Sequence, residues 1–166
     1  MSRRHLSADS TPDSEPSPGP ARSGDLVPRL LGLDVGSRTI GVAVSDPLGI
    51  TAQGLETIRR RNKRTDLEEL GCLVERFAIV EIVVGYPLRL SGQPGAQSDK
   101  VQLFAAELEK RFGLPVRLWA ERLTSVQANR LLRESEISIR KRGQAVDRLA
   151  AVLILQSYLD SRGSRP

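Results

Sequence analysis

The chain has 166 residues, enough for one domain with a sizeable core, and its 39% hydrophobic share holds no apolar run long enough to span a bilayer. A single cysteine, Cys72, excludes an internal disulfide and a cysteine-rich zinc site, which points to a reducing, cytoplasmic setting. Residues 1–29 hold four basic and four acidic side chains, so the whole net charge of +5 belongs to residues 30–166 and suggests a polyanionic partner.

Residues 1–28 carry five of the ten prolines, six serines and almost no large apolar side chain. Such a composition buries too little surface to repay its ordering entropy, and a disordered arm is expected. The arm also contains acids and no apolar core segment, unlike a secretory signal. The only histidine, His5, lies in it. No structured histidine therefore remains for a catalytic triad, a zinc site or histidine acid–base chemistry.

A single folded domain is expected over residues 29–162, opening with three strands at about 30–36, 39–45 and 50–57. The turns Gly36-Ser37-Arg38 and Asp46-Pro47-Leu48-Gly49 join them as an antiparallel meander. A helix over about 65–77 places Leu67, Leu70, Leu73, Val74 and Phe77 on one face. The short apolar strand 79–84, a Gly/Pro-rich loop 85–95 and a helix over about 96–111 follow. Leu114–Trp119 reads as another strand, and Thr124 with Gln127 forms a capping box for a helix to about Arg133. Residues 135–143 read as a polar, mobile segment before a last buried helix over 144–160. The resulting fold class is α/β: a mixed five-stranded sheet, three strands in antiparallel meander and the rest parallel, flanked by helices.

Three carboxylates depart from the solvated acids of the helix faces. Asp34 lies inside the first strand, among Leu31, Leu33 and Val35. A charge there is costly unless an arginine, a metal ion or the donors around a bound phosphate oppose it. Glu121 lies just past the strand "LPVRLWA", and Asp147 opens the last helix on the face of Ala150, Ala151 and Ile154. Gathered at one sheet edge, the three form an all-oxygen site suited to Mg²⁺ or Mn²⁺. Simpler roles also fit each residue: Asp34 capping the Gly36 turn, Glu121 paired with Arg117 or Arg122, and Asp147 favouring a helix N-terminus. The arginine-rich runs "RRRNKR" from Arg59 and "RKR" from Arg140 suit phosphate contacts or plain solvation. Only Trp119 and Tyr86 are available near the site to stack a base.

The motifs "GLDVGSRTIGVAVSDPLG", "VVGYPLRLSGQPG", "AERLTSVQANRLL" and "AVDRLAAVLILQSYLD" occur in that order between Leu30 and Asp160. Together they resemble the YqgF (RuvX-like) family of RNase H-like nucleases. The resemblance implies an RNase H-like fold and a phosphodiester hydrolase with a two-metal-ion mechanism. Asp34, Glu121 and Asp147 match the family's catalytic and metal-binding acids. Arg122, Arg59, Arg60, Arg61, Arg140, Lys141 and Arg142 are the candidate substrate contacts. The implied role is processing of the 5′ end of pre-16S rRNA in ribosome biogenesis, with ribosome association. The alternatives are a Holliday junction resolvase on branched DNA, which needs a dimer for a symmetric cut, and a non-catalytic nucleic-acid-binding protein. Ala120 stands where the family has an aspartate, and Tyr86 stands where it has a leucine. An actin-like ATPase also uses an Asp-x-Gly strand, but its two domains around a cleft exceed about 137 folded residues. Oligomeric state stays open.

Overall fold

A computed structural model describes residues 27–87, 95–121 and 139–163, with the backbone alone at positions 96, 121, 139–145 and 147. The expected helix over 124–133, Arg122 and most of the proline-rich arm lie outside the described residues. A meander of β1 (Arg29–Val35) and β2 (Thr39–Ser45) opens the fold. It continues in two short strands, β3 (Ala52–Gly54) and β4 (Ile58–Arg59). Helix α1 (Lys63–Arg76), strand β5 (Ile79–Pro87), helix α2 (Ala96–Phe112) and strand β6 (Val116–Glu121) follow, and α3 (Ile139–Gly163) closes the chain.

The sheet has six strands in the order β3-β2-β1-β5-β6, with β4 also paired to β2. β1 and β2 run antiparallel, while β5 and β6 run parallel to β1. Two strand assignments need correcting. The expected third strand, 50–57, is two pieces, because pairing to β2 stops after Gly54 and resumes at Ile58. β5 continues three residues past Val84, pairing Gly85, Tyr86 and Pro87 with Trp119, Ala120 and Glu121. Glu121 is therefore the last residue of β6 rather than the first beyond it.

The last helix starts at Ile139, not 144. Arg140, Lys141 and Arg142 thus belong to its first turns rather than to a polar, mobile segment, and Asp147 lies about two turns inside it rather than at its start. Arg, Lys, Gln and Ala are good helix formers, so Gly143 alone does not stop a helix that packing holds further on.

Alternation along β1 divides the core. Leu31, Leu33 and Val35 pack with Leu67, Leu70, Val101, Phe104 and Leu108 under α1 and α2. Leu30 packs on the other face with Val83, Ala151, Leu155 and Leu159 of the α3 layer. Gly32 lies under α3 so closely that a Cβ there would be 2.6 Å from Leu155 Cβ and 3.3 Å from the Ala151 carbonyl. A Cβ at Gly54 would meet the Arg148 stem at 2.5 Å. Gln156 fixes the helix laterally, accepting from the Ala52 N–H at 2.9 Å and donating to the Ile50 carbonyl at 2.8 Å.

Candidate active site

Asp34 is half-buried, and its position in β1 pairs with Gly41 of β2. On the other side, Leu33 pairs with Val84, so Gly85 of β5 stands level with Asp34. Glycines therefore stand beside Asp34 on both neighbouring strands.

Helix α3 descends antiparallel to β1. Leu159 belongs with Leu30, and Leu155 and Ala151 lie over Gly32. Going back from Ala151 to Asp147 moves about 6 Å along the helix, while going from Gly32 to Asp34 moves about 6.6 Å along the strand. Position 147 thus reaches the level of Asp34. Position 121 ends β6 on the same edge of the sheet, two strand spacings or about 10 Å from β1. The backbone brings the three carboxylate-bearing positions to the C-terminal edge of β1, β5 and β6. Among the described residues, no group of three acidic, histidine or cysteine side chains gathers as a metal site.

The turn after Asp34 is held from outside. Gly36 N–H donates to the Thr39 carbonyl at 2.9 Å, closing it. Arg60 donates through its guanidinium to the Gly36 carbonyl at 2.9 Å and to Asp66 Oδ2 at 3.3 Å, and lies 5.3 Å above the Phe104 ring. Asp66 is buried, and its other oxygen accepts the Arg61 backbone N–H at 3.1 Å. Arg60 thus joins the β1–β2 turn to α1 and α2. Of the three consecutive arginines, Arg59 and Arg61 are exposed and Arg60 is committed to this clamp. The charge run alone conceals that division. Asp66 was the available signal, because it stands four residues before Leu70 on the buried stripe of α1, where an acid implies a buried partner.

Trp119 is also engaged. Its ring meets Tyr158 edge-on at 5.3 Å and its N–H donates to Ser157 Oγ at 3.1 Å, so it fastens β6 to α3. The Tyr158 hydroxyl bonds to Glu81. Burial, and then that carboxylate, push the phenol above its ordinary pKa. Glu81 also meets Arg117 at 3.4 Å and Arg162 at 3.7 Å. Tyr86 packs against the core under α1 and α2.

A mixed sheet in this order, with helices on both faces, is the architecture of the RNase H-like nucleases. The Fowlpox virus resolvase, solved with its substrate Holliday junction DNA, shares the fold at a TM-score of 0.50 and 13% identity, over 81% of this chain and 98% of that one. The chain belongs to the RuvX family, whose model, described as Holliday junction resolvase, matches residues 28–161. It is 64% identical over 135 residues to a protein of Koribacter versatilis (strain Ellin345) named "Putative pre-16S rRNA nuclease", covering 81% of this chain and 88% of that protein. A relative of the same name from Moorella thermoacetica is 53% identical over 135 residues, 81% of this chain and 96% of its own length. This is a phosphodiester-cleaving enzyme. Among the described residues, no helix is long and apolar enough to cross a membrane.

Proposed function

We propose that the chain is a divalent-metal-dependent endonuclease acting through Asp34, Glu121 and Asp147 on precursor 16S rRNA, in ribosome maturation in the cytoplasm. The observation that supports this reading is topological: β1 and β6 end at one edge of the sheet, and α3, which carries position 147, packs closely along β1. The donor set fits Mg²⁺ or Mn²⁺: three carboxylates, all oxygen, with neither histidine nor cysteine. When bound, such ions supply Lewis acidity that activates a water and neutralises charge on the departing 3′ oxygen. Asp34, Glu121 and Asp147 would hold them with carboxylates within roughly 4–8 Å of one another. Arg122, Arg140, Lys141 and Arg142 would supply charge for phosphate oxygens.

The two relatives' names favour RNA. The family's description supports a second reading, cleavage of four-way DNA junctions, which a symmetric cut would require two copies to perform. Cleavage of precursor rRNA and of a four-way junction, each with Mg²⁺ and with a chelator, separates them. Metal-dependent cutting of the RNA supports the first reading, and cutting of the junction alone replaces it with the second. Binding without cleavage of either leaves a nucleic-acid-binding protein.

Asp34→Asn tests the site. The amide keeps the shape and removes one charge from a mutually repelling trio, so stability is expected unchanged or higher. Cleavage is expected to fall at least about a hundredfold. A destabilised variant that cleaves normally per folded molecule removes Asp34 from the site.

A further inference from the structure

On the other face of the same sheet edge, between the start of α1 and the first half of α2, lies a groove of about 690 Å³. It is within the range of clefts that hold small ligand groups. Ser37 lines it, so the groove reaches the turn that follows Asp34. Its position is fixed, because Gln97 donates to the Val35 carbonyl at 3.2 Å and Arg60 holds the turn. Lys63 on its rim is occupied by Glu107 at 2.8 Å, and that ammonium holds the Glu107 carboxyl below its ordinary pKa. The pair is electrically neutral. Arg61 and Lys100 remain, both exposed and without an ion-pair partner among the described residues. Leu103, 71% exposed, lines the same groove.

Two uncommitted cations beside an exposed aliphatic side chain match a particular ligand chemistry. A duplex presents phosphates and keeps its base faces stacked within. An unpaired strand presents phosphates together with base and sugar faces that gain from apolar cover. We propose that this groove carries the backbone of a single-stranded stretch of the nucleic-acid substrate as it passes around the Gly36–Arg38 turn to or from the cleavage edge, with phosphates on Arg61 and Lys100 and a base or sugar against Leu103. The inference rests on the nuclease reading and deepens it. The substrate has an unpaired segment next to the cut, whether RNA or DNA.

The test uses the full chain in chelator, with short labelled oligouridine, oligothymidine and a duplex of equal length. Each single-strand phosphate contact contributes about 0.7 to the slope of log affinity against log salt. Arg61→Ala combined with Lys100→Ala should therefore lower that slope by about 1.4 and the affinity about 25-fold at 0.1 M salt, on RNA, on DNA or on both. A change on one oligonucleotide only names the substrate's sugar. Lys110→Ala with Arg111→Ala removes the same charge from the far end of α2 and should cost much less. The groove assignment is overturned by an unchanged slope in the first variant, by an equal loss in the second, or by equal sensitivity of the duplex. If it falls while precursor RNA is still cut, the nuclease reading stands. If the groove effect is present but no nucleic acid is ever cut, the groove is a binding surface and the nuclease reading falls.

Discussion

The two faces of the sheet hold their helices by opposite means. Under α1 and α2 the contact is made by volume, with Leu31, Leu33, Val42 and Val84 filling against Leu70, Phe104 and Leu108. Under α3 it is made by the absence of side chain: Gly32, Gly54, Ala43 and Ala151 let the helix come down almost onto the strands. Large residues hold a helix at a distance that tolerates some repacking, whereas small ones fix it at a distance that does not. The carboxylate edge belongs to the second face. Close packing there does more than stabilise, since it decides whether position 147 comes level with Asp34.

That contrast can be broken on either side. Leu33→Ala should open a cavity in the thick face and cost about 2–5 kcal/mol in urea unfolding, while the cleavage rate per folded molecule stays near wild type. A large fall in that specific rate would mean that the two faces are not mechanically separate. Gly32→Ala should cost less in stability, about 1–3 kcal/mol, because the helix can lift away from the new methyl. Lifting it moves position 147, so the specific rate should drop tenfold or more, given that shifts of about 1 Å can cost a hundredfold. Full activity in a folded Gly32→Ala protein would separate the site from the packing.

Arg60→Ala probes the place where the thick face controls the turn behind Asp34. It leaves the Asp66 carboxylate buried with one remaining N–H donor, at a cost of about 1–3 kcal/mol after allowing for the partial exposure of Arg60. Arg60→Lys should recover little of this, since an ammonium cannot reach both Asp66 and the Gly36 carbonyl with the same planar fork. Recovery by lysine would reduce the clamp to simple charge pairing.

The smallest expected effect lies at the opposite end of the sheet. Asp46 accepts the Ile50 and Thr51 N–H groups at 2.7 and 3.0 Å, and these bonds, that of Thr51 foremost, lower its pKa. A carboxylate with a lowered folded-state pKa stabilises the fold above its unfolded pKa, about 4, and that stabilisation fades as pH falls through the folded value. Asp46→Asn should therefore lose a little stability at neutral pH and converge with wild type in acid. Divergence growing toward low pH would reverse the assignment.

Legibility in the sequence depends on the kind of force at work. Apolar alternation reveals β1, β2, β5 and the faces of α1, because burial leaves a periodic trace. The division of the third strand leaves none. Residues 55–57 look as strand-like as their neighbours, and Leu55 still donates to the Val42 carbonyl at 2.8 Å, so only the pairing shows the break. Residues 135–143 read as a polar segment when weighed locally, while the stripe that sustains α3 lies further along at Ala150, Ala151, Ile154 and Leu155. Of the candidate site, Asp34 stands out through its apolar surroundings, and Glu121 and Asp147 through strand-end and helix-face positions. The role of Arg60 is hidden, because a run of arginines carries no mark of which one turns inward.

Ser98 sets a different kind of limit. Buried in the first turn of α2, it bonds to the Pro87 carbonyl and accepts from the Gly95 N–H at 3.2 Å. The exit from β5 and the entry to α2 are thus riveted together at the mouth of residues 88–94, whatever lies between them. One buried hydroxyl thus sets the distance between the end of β5 and the start of α2.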